Sequence, residues 1–116
     1  LPRENRVKLH FLIKKKVNYG SALYAIGNID QLGAWIIDNA LRLNWNTVIL
    51  FLYRKIIGRF RRTLNKNEIR IQFKYAIADH NAPCQDRVWW ECGDFNRYIV
   101  LSGDEENVIV GIFSLK

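Results

Sequence analysis

The stretch that decides the fold is Ile69-Arg70-Ile71-Gln72-Phe73-Lys74-Tyr75-Ala76-Ile77. Its large apolar residues recur at every second position, and Arg70, Gln72 and Lys74 occupy positions between them. Because successive side chains of a strand point to opposite faces, this alternation predicts a long β-strand with one buried and one polar face. Lys74 is therefore expected to point outward, away from the core.

Shorter stretches of the same kind recur along the chain. Residues 7–13 repeat the period of two, and further short strands are expected at 23–26, 97–101 and 108–113. Turn-forming residues separate these stretches, as in Asn18-Tyr19-Gly20. About seven or eight strands spaced in this way predict an all-β fold, an antiparallel, immunoglobulin-like β-sandwich.

The segment 47–64 (TVILFLYRKIIGRFRRTL) fits two interpretations. Its apolar residues also follow helical spacing, with basic residues on the opposite side, which is typical of an amphipathic helix that contacts a membrane or a partner. Its Val and Ile content and its neighbouring strands favour instead a buried strand, a turn at Gly58 and a solvated basic loop. We expect the strand.

Length and composition indicate one globular domain. The chain has 116 residues, of which 49% are hydrophobic and 25% charged, a composition unlike that of disordered chains. No apolar run approaches the ~20 residues that a bilayer-spanning helix requires. Since the chain has no methionine and opens on Leu1-Pro2-Arg3, we expect residues 1–116 to be a single module excised from a larger protein.

Charge is distributed unevenly along the chain. Residues 1–74 hold 15 basic residues against 4 acidic ones, whereas residues 75–116 hold 3 against 7. Clustered Lys and Arg are typical of proteins that bind nucleic acid or another anionic surface. The clusters that would serve this alternative function are Lys14, Lys15 and Lys16, and Arg59, Arg61 and Arg62.

Catalytic and metal-binding signatures are missing from the sequence. There is no Gly-rich phosphate loop, nucleophile elbow or HExxH pattern. Asp86, Glu91 and Asp94 could supply paired carboxylates for glycoside hydrolysis, but acids in a polar loop are usually only solvated. His80 with the two cysteines, Cys84 and Cys92, matches no familiar zinc spacing and lacks a fourth ligand. Two cysteines do not make a disulfide framework, so the sequence does not indicate whether the protein resides in an oxidising or a reducing compartment.

Two segments carry a family pattern. The first contains Tyr19-Gly20, Leu23-Tyr24-Ala25-Ile26-Gly27-Asn28 and Leu32-Gly33-Ala34-Trp35, and the second contains Phe73-Lys74-Tyr75, Trp90-Glu91 and Asn96-Arg97. In this order and spacing the chain resembles a starch-binding domain, carbohydrate-binding module family 20. The match covers most of the chain. It departs from the pattern at Phe95, an extra residue, and fades over 44–62, where Trp45 and Tyr53 align with no role.

The resemblance implies a β-sandwich that binds α-1,4-glucans, such as starch, glycogen or maltodextrins, without catalysis. It further implies that the module tethers an attached catalytic or regulatory domain to the polysaccharide. By position, Trp35 and Trp90 correspond to the stacking pair of the family's first site, Lys74 and Asn96 to its hydrogen-bonding partners, and Tyr19 to one aromatic of the second site. No cofactor or metal is implied, and nucleic acid is the disfavoured partner.

These residue types suit the implied roles. A Trp ring can cover the apolar C–H face of a pyranose, and an Asn amide offers both a donor and an acceptor to vicinal hydroxyls. Without the resemblance, Trp35 is equally compatible with a buried core position. Trp89 precedes Trp90 directly and so points to the opposite face of the strand. It is compatible with either a core position or an extension of the stacking platform.

Overall fold

The computed structural model of the protein describes residues 7–60, 68–79, 81, 88–90, 96–102 and 107–114. Two short 3₁₀ turns, Asp30–Trp35 and Ile37–Asn39, lie between the second and third strands. The eight strands are β1 (Val7–Lys14), β2 (Ser21–Gly27), β3 (Leu41–Asn46), β4 (Phe51–Gly58), β5 (Glu68–Asp79), β6 (Trp89–Trp90), β7 (Arg97–Ser102) and β8 (Asn107–Ser114).

The strands form one curled sheet that closes into two layers. The order is β6-β5-β2-β3-β4-β1-β8, with β7 also paired to β5. The sheet turns its corner at β3, because residues 41–43 pair with β2 whereas residues 44–46 pair with β4. The described strand pairs are antiparallel except β1 and β8, which run parallel. The predicted all-β sandwich is confirmed.

The main core lies between the two layers and takes the alternate residues of β1 and β5. Phe73 packs edge-on against Phe11 and Tyr75, with ring centroids 5.6 Å and 5.4 Å away, the geometry that aromatic rings prefer. The period of two predicted for 69–77 is confirmed, since Ile77 also packs against the main core. On the outer side of the strand, Ala76 and Ala78 are buried as well.

A second, smaller apolar cluster explains the burial of Ala78, because it covers part of the outer face of β2 and β5. We call it the outer cluster; its buried members are Ala22, Tyr24, Ile26, Ile37 and Ala78, with Ala40 and Val88 partly buried against it. Ile37 comes from the second 3₁₀ turn and Val88 directly precedes β6. The outer cluster thus holds both connections against the outside of the sandwich.

The segment 47–64 contains a strand, as expected, but the turn expected at Gly58 is wrong, because Gly58 is the last residue of β4 and pairs with Val7. β4 pairs with β1 from Val7 opposite Gly58 to Ile13 opposite Leu52, so the helix interpretation is wrong for its residues. The strand begins at Phe51 because residues 47–50 form the turn that leads out of β3. β1 and β3 on its two edges supply the backbone partners that decide the outcome. Residues 61–64 lie outside the described residues.

Candidate functional site

Three of the predicted site residues share the outer face of β5. β6 places Trp90 opposite Ala76. β7 begins at Arg97, and its register, continued by one residue, places Asn96 opposite Lys74. Since directly opposite residues of an antiparallel pair point to the same side, the Trp90, Lys74 and Asn96 side chains face one surface. Trp90 is 39% exposed there.

Gln72 orients the Asn96 amide. Nδ2 of Asn96 donates a hydrogen bond to Oε1 of Gln72 at 3.2 Å, and Gln72 lies two residues before Lys74 on the same face. Its own backbone is held by Asn28, whose Oδ1 accepts the N–H of Gln72 at 3.0 Å. Sequence reasoning missed Gln72, although its outward position beside Lys74 was visible in the alternation of β5.

Trp35 is carried by a strained turn. Gly33, Ala34 and Trp35 have φ values of 84°, 49° and 66°, in the left-handed region that disfavours residues other than glycine. A Cβ on Gly33 would lie 2.7 Å from the backbone nitrogen of Ala40, so only glycine fits there. Backbone strain of this kind persists only where the surroundings hold it, and it concentrates at binding sites.

Buried residues on both sides hold the strained turn in place. Leu32 is buried in the main core and Ile37 in the outer cluster. Trp35, between them, remains 36% exposed, which excludes the fully buried position that the sequence left open. Because Ile37 follows Trp35 by two residues and Val88 precedes Trp90 by two, the segments carrying both tryptophans contact the same outer cluster.

Tyr24 forms part of the floor beside Trp90. It lies opposite Ala76 on one side and Arg42 on the other, and its hydroxyl donates to the carbonyl oxygen of Asp79 at 3.3 Å. Burial raises the pKa of the Tyr24 hydroxyl, an effect that the Arg42 charge opposes and the Asp79 charge reinforces. The hydroxyl therefore stays protonated at neutral pH and acts as a donor.

Two further aromatics are exposed near this face. Tyr98 lies opposite Gln72 and shares the outer face; its spacing of two residues from Asn96 was the signal that could have revealed it. Trp89 lies opposite Ile77, on the other face, and is 65% exposed. Trp89 is thus neither a core residue nor part of the surface that contains Trp90.

Tyr19 is separated from the other predicted site residues. It is fully exposed in the turn before β2, at the end where Ser21 pairs with Asp79, whereas Lys74 pairs with Ile26. The five residue steps along β2 between these pairs correspond to about 17 Å of strand. The structure therefore places Tyr19 at the opposite end of β2 from Lys74.

A cavity of about 870 Å³ lies at the Ser21 end, between the β1–β2 connection and the end of β3. Trp45, exposed, is among its lining residues. Tyr53 is engaged elsewhere, since its hydroxyl lies 2.6 Å from Nδ1 of His10 on β1. Of the two aromatics to which the sequence gave no role, only Trp45 faces this cavity.

The predicted basic clusters do not form one surface within the described residues. Lys14 ends β1 beside the cavity, while Arg59 follows Gly58, which pairs with Val7 at the other end of β1. The seven residue steps between Val7 and Lys14 correspond to about 23 Å. Arg61 and Arg62 lie outside the described residues.

The remaining candidates from the sequence also lie outside the described residues: His80, Cys84, Cys92, Asp86, Glu91 and Asp94. Within the described part of the chain, no group of three or more His, Cys, Asp or Glu side chains could hold a metal ion. None of the described helices has the length and apolar character needed to span a membrane.

Several solved structures share this sandwich. A glycoside hydrolase family 15 glucoamylase from Hypocrea jecorina superimposes with a TM-score of 0.68 at 18% identity over 97% of this chain. A gamma-CGTase from alkalophilic Bacillus clarkii gives 0.67 at 25% over 96%. The family 20 carbohydrate-binding module of the maltotetraose-forming amylase from Pseudomonas saccharophila STB07 gives 0.62 at 20% over 94%. These likenesses show the fold.

The lengths of these relatives differ. The chain covers 17% of the glucoamylase and 15% of the gamma-CGTase, but 100% of the family 20 module. No curated protein sequence matches it significantly. The family model of the starch binding domain matches residues 6–109, which include β1 to β7 and every predicted site residue. The chain is therefore a noncatalytic carbohydrate-binding module and belongs to the starch-binding domain family, carbohydrate-binding module family 20.

Proposed function

We propose that the module binds α-1,4-glucans, such as starch, glycogen and maltodextrins, on the outer face of β5. The observation that carries this proposal is the placement of the exposed Trp90 in line with Lys74 and Asn96 on one surface. The family supports the ligand class. An exposed aromatic ring and two polar side chains on one surface can contact both the apolar face and the hydroxyl groups of a sugar ring.

Trp90 and Trp35 supply the stacking surfaces. The C–H face of a glucose ring packs against an indole and releases poorly hydrated surface from both partners. The two side chains come from different segments, a strand and a strained turn, both held against the outer cluster. Two platforms set at an angle to each other suit the curvature of an α-glucan helix better than a flat chain.

Lys74 and Asn96 supply the polar contacts. The Lys74 ammonium donates to a sugar hydroxyl, and the Asn96 amide both donates and accepts. The hydrogen bond from Asn96 to Gln72 fixes the direction of the amide before the sugar arrives, which lowers the conformational entropy lost on binding. Because the ligand is neutral, added salt weakens binding little.

Tyr19 is proposed as part of a second contact with the same polymer. The Ser21 end of β2, next to Tyr19, lies about 17 Å from its Lys74 end, a distance that a glucan of several residues can span. Each contact alone is shallow and weak. When both engage one polymer, the second binds at high effective concentration, so affinity for long chains exceeds affinity for short oligosaccharides.

We further propose that residues 1–116 act as a single module that holds an attached catalytic or regulatory domain at the polysaccharide. The similar domains in the glucoamylase and the gamma-CGTase support this role, since the matched chain covers only 17% and 15% of those proteins. Nothing in the arrangement of the outer face requires chemistry beyond binding.

Titration with β-cyclodextrin or maltoheptaose, followed by tryptophan fluorescence, tests the proposed function. Saturable quenching with little dependence on salt is expected. Trp35→Ala and Trp90→Ala should each weaken binding, whereas the matched control Trp89→Ala, exposed on the other face, should not. Unchanged binding in both Trp35→Ala and Trp90→Ala would refute the site. Polynucleotide binding that declines steeply with salt would favour the alternative function.

A further inference from the structure

The turn between β3 and β4, residues 47–50, exposes aliphatic side chains where hairpin turns ordinarily carry Gly, Asn or Asp. We call these four residues the hairpin tip. Val48 is 88% exposed and Leu50 is 62% exposed. Leu50 also has a φ of 61°, a conformation that Asn or Gly adopts more easily. The fold therefore gives no reason for aliphatic residues at this turn.

Asn46 builds the turn and fixes its shape. Its Oδ1 accepts the backbone N–H groups of Val48 at 2.9 Å and Ile49 at 3.1 Å, and its carbonyl accepts the N–H of Leu50 at 2.8 Å. The turn is thus made by backbone groups and one Asn side chain. The aliphatic side chains contribute nothing to these bonds and project from a fixed base.

Cationic side chains surround the cavity beside the hairpin tip, which is lined in part by Lys14, Lys15, Lys16, Arg42, Trp45 and Leu50. No Asp or Glu is among its described lining residues. The buried Nε of Arg42 has no hydrogen-bond acceptor in the described part of the chain. Asp79, which pairs with Ser21 at this end, uses Oδ1 to accept the N–H of Asn81 at 2.8 Å.

We propose that the hairpin tip and the lysines beside it form a docking surface for an anionic lipid bilayer. The aliphatic side chains of the tip enter the boundary between headgroups and acyl chains. Trp45 lies at the interfacial level, where indole rings are favoured. Lys14, Lys15 and Lys16 contact the lipid phosphates. Charge complementarity supports this occupant, since the described lining of the cavity beside the tip includes Lys14, Lys15, Lys16 and Arg42 but no Asp or Glu.

Other ligands use only part of this surface. A sugar ring stacks on aromatic faces and leaves the aliphatic tip without a partner. A polynucleotide pairs its phosphates with the lysines and leaves Val48 and Leu50 in water. A bilayer surface uses the cations, Trp45 and the tip together. The tip lies at the Ser21 end of the sandwich, as Tyr19 does, and at a distance from the outer face of β5. This inference is therefore independent of glucan binding by Trp90, Lys74 and Asn96, although a polymer held by Tyr19 would share this end.

Co-sedimentation of the 116-residue chain with vesicles tests this inference. Binding is expected to mixed vesicles of phosphatidylcholine and phosphatidylserine, not to phosphatidylcholine alone, and should weaken as salt rises. The double variant Val48→Ser/Leu50→Asn should lose about tenfold or more of the vesicle affinity while β-cyclodextrin binding stays unchanged. Asn suits the left-handed φ at position 50, so this variant keeps the turn.

A matched pair of charge variants separates a local surface from general attraction. Lys14→Gln/Lys15→Gln/Lys16→Gln should lose most of the vesicle affinity. The control Lys8→Gln/Arg54→Gln/Lys55→Gln removes the same charge from exposed positions elsewhere on β1 and β4 and should retain most of it. Brominated lipids should quench a fluorescence component that Trp45→Phe removes.

Four outcomes would overturn the inference: vesicle binding that survives loss of the aliphatic tip, an equal loss in both charge variants, absence of binding to the mixed vesicles, or a dimer that dissociates in Val48→Ser/Leu50→Asn. The last would show that a second copy of the chain covers the tip. A preference for phosphate-bearing glucan without vesicle binding would assign the lysines to a modified sugar instead.

Discussion

The outer face of β5 and the end that contains the hairpin tip differ in the elements that position their side chains and in the chemistry of those side chains. On the outer face, strand pairing aligns Trp90, Lys74 and Asn96, and buried residues hold their supports. At the other end, short connections present lysines and aliphatic side chains around a cavity. The first surface offers flat rings with few charges, and the second offers several cationic side chains beside exposed aliphatic groups. One small sandwich can thus carry two unlike surfaces because its strands keep them apart.

Of the predicted effects, removal of the Trp90 ring should produce the largest difference between glucan affinity and vesicle affinity. Trp90→Ala should lower β-cyclodextrin affinity about 30-fold, since a stacked indole contributes on the order of 2 kcal/mol. Vesicle binding should stay at the wild-type level. Calorimetric titration and vesicle sedimentation on the same sample check both halves. A variant that loses both activities equally would mean that the two surfaces are one.

Replacing Gly33 should destabilise the turn that carries Trp35 and so lower the stability of the protein. Gly33→Ala places a Cβ against Ala40 and forces a left-handed alanine, so we expect the free energy of unfolding to fall by about 2 kcal/mol. Urea unfolding measures the loss. Gly20→Ala is the matched control, because Gly20 also has a positive φ but no atom within 4 Å of an added Cβ; it should cost about 1 kcal/mol.

Loss of the Gln72 amide should have a smaller effect on glucan affinity. Gln72→Ala removes the acceptor that orients Asn96, and we expect affinity to fall about threefold to fivefold, in keeping with one hydrogen bond. In Asn96→Ala the same change should have no further effect. A double-mutant cycle by titration measures this coupling, and independent effects would show that Gln72 acts alone.

The smallest expected effect comes from a single substitution in the hairpin tip. Leu50→Asn alone should raise the free energy of unfolding by about 0.5 kcal/mol, because Asn tolerates the positive φ of the turn. Glucan affinity should not change. Thermal or urea unfolding of this single variant is the measurement, and destabilisation would show that the Leu50 side chain contributes to the fold after all.

Local patterns predicted the strands well and the junctions poorly. The alternation over 69–77 marked β5, and the Val and Ile content of 47–64 marked β4. The turn at 47–50 escaped prediction because it carries aliphatic residues, and the Asn46 side chain makes it instead. The burial of Ala78 on the outer side of β5 also escaped, since it packs in one cluster with Ile37, which comes from a separate segment.

Some residues of the candidate site could likewise be predicted from local patterns, and others could not. Lys74 could be placed outward from the period of β5 alone, and the family resemblance supplied Trp90 and Asn96. The role of Gln72 depends on a contact with a residue 24 positions away, which no local pattern encodes. The exposure of Trp35 depends on a strained turn anchored in two separate clusters.

The parallel pairing of β1 with β8 has a mechanical consequence. The pair runs from Lys8 opposite Asn107 to Lys14 opposite Ser114, so the start of β1 and the end of β8 lie at opposite ends of the pair. A pulling force applied at those two points would act along the strands and load their interstrand bonds together in shear, rather than opening them one at a time. We expect this arrangement to resist tension along the chain, which is the property that the proposed tethering role requires.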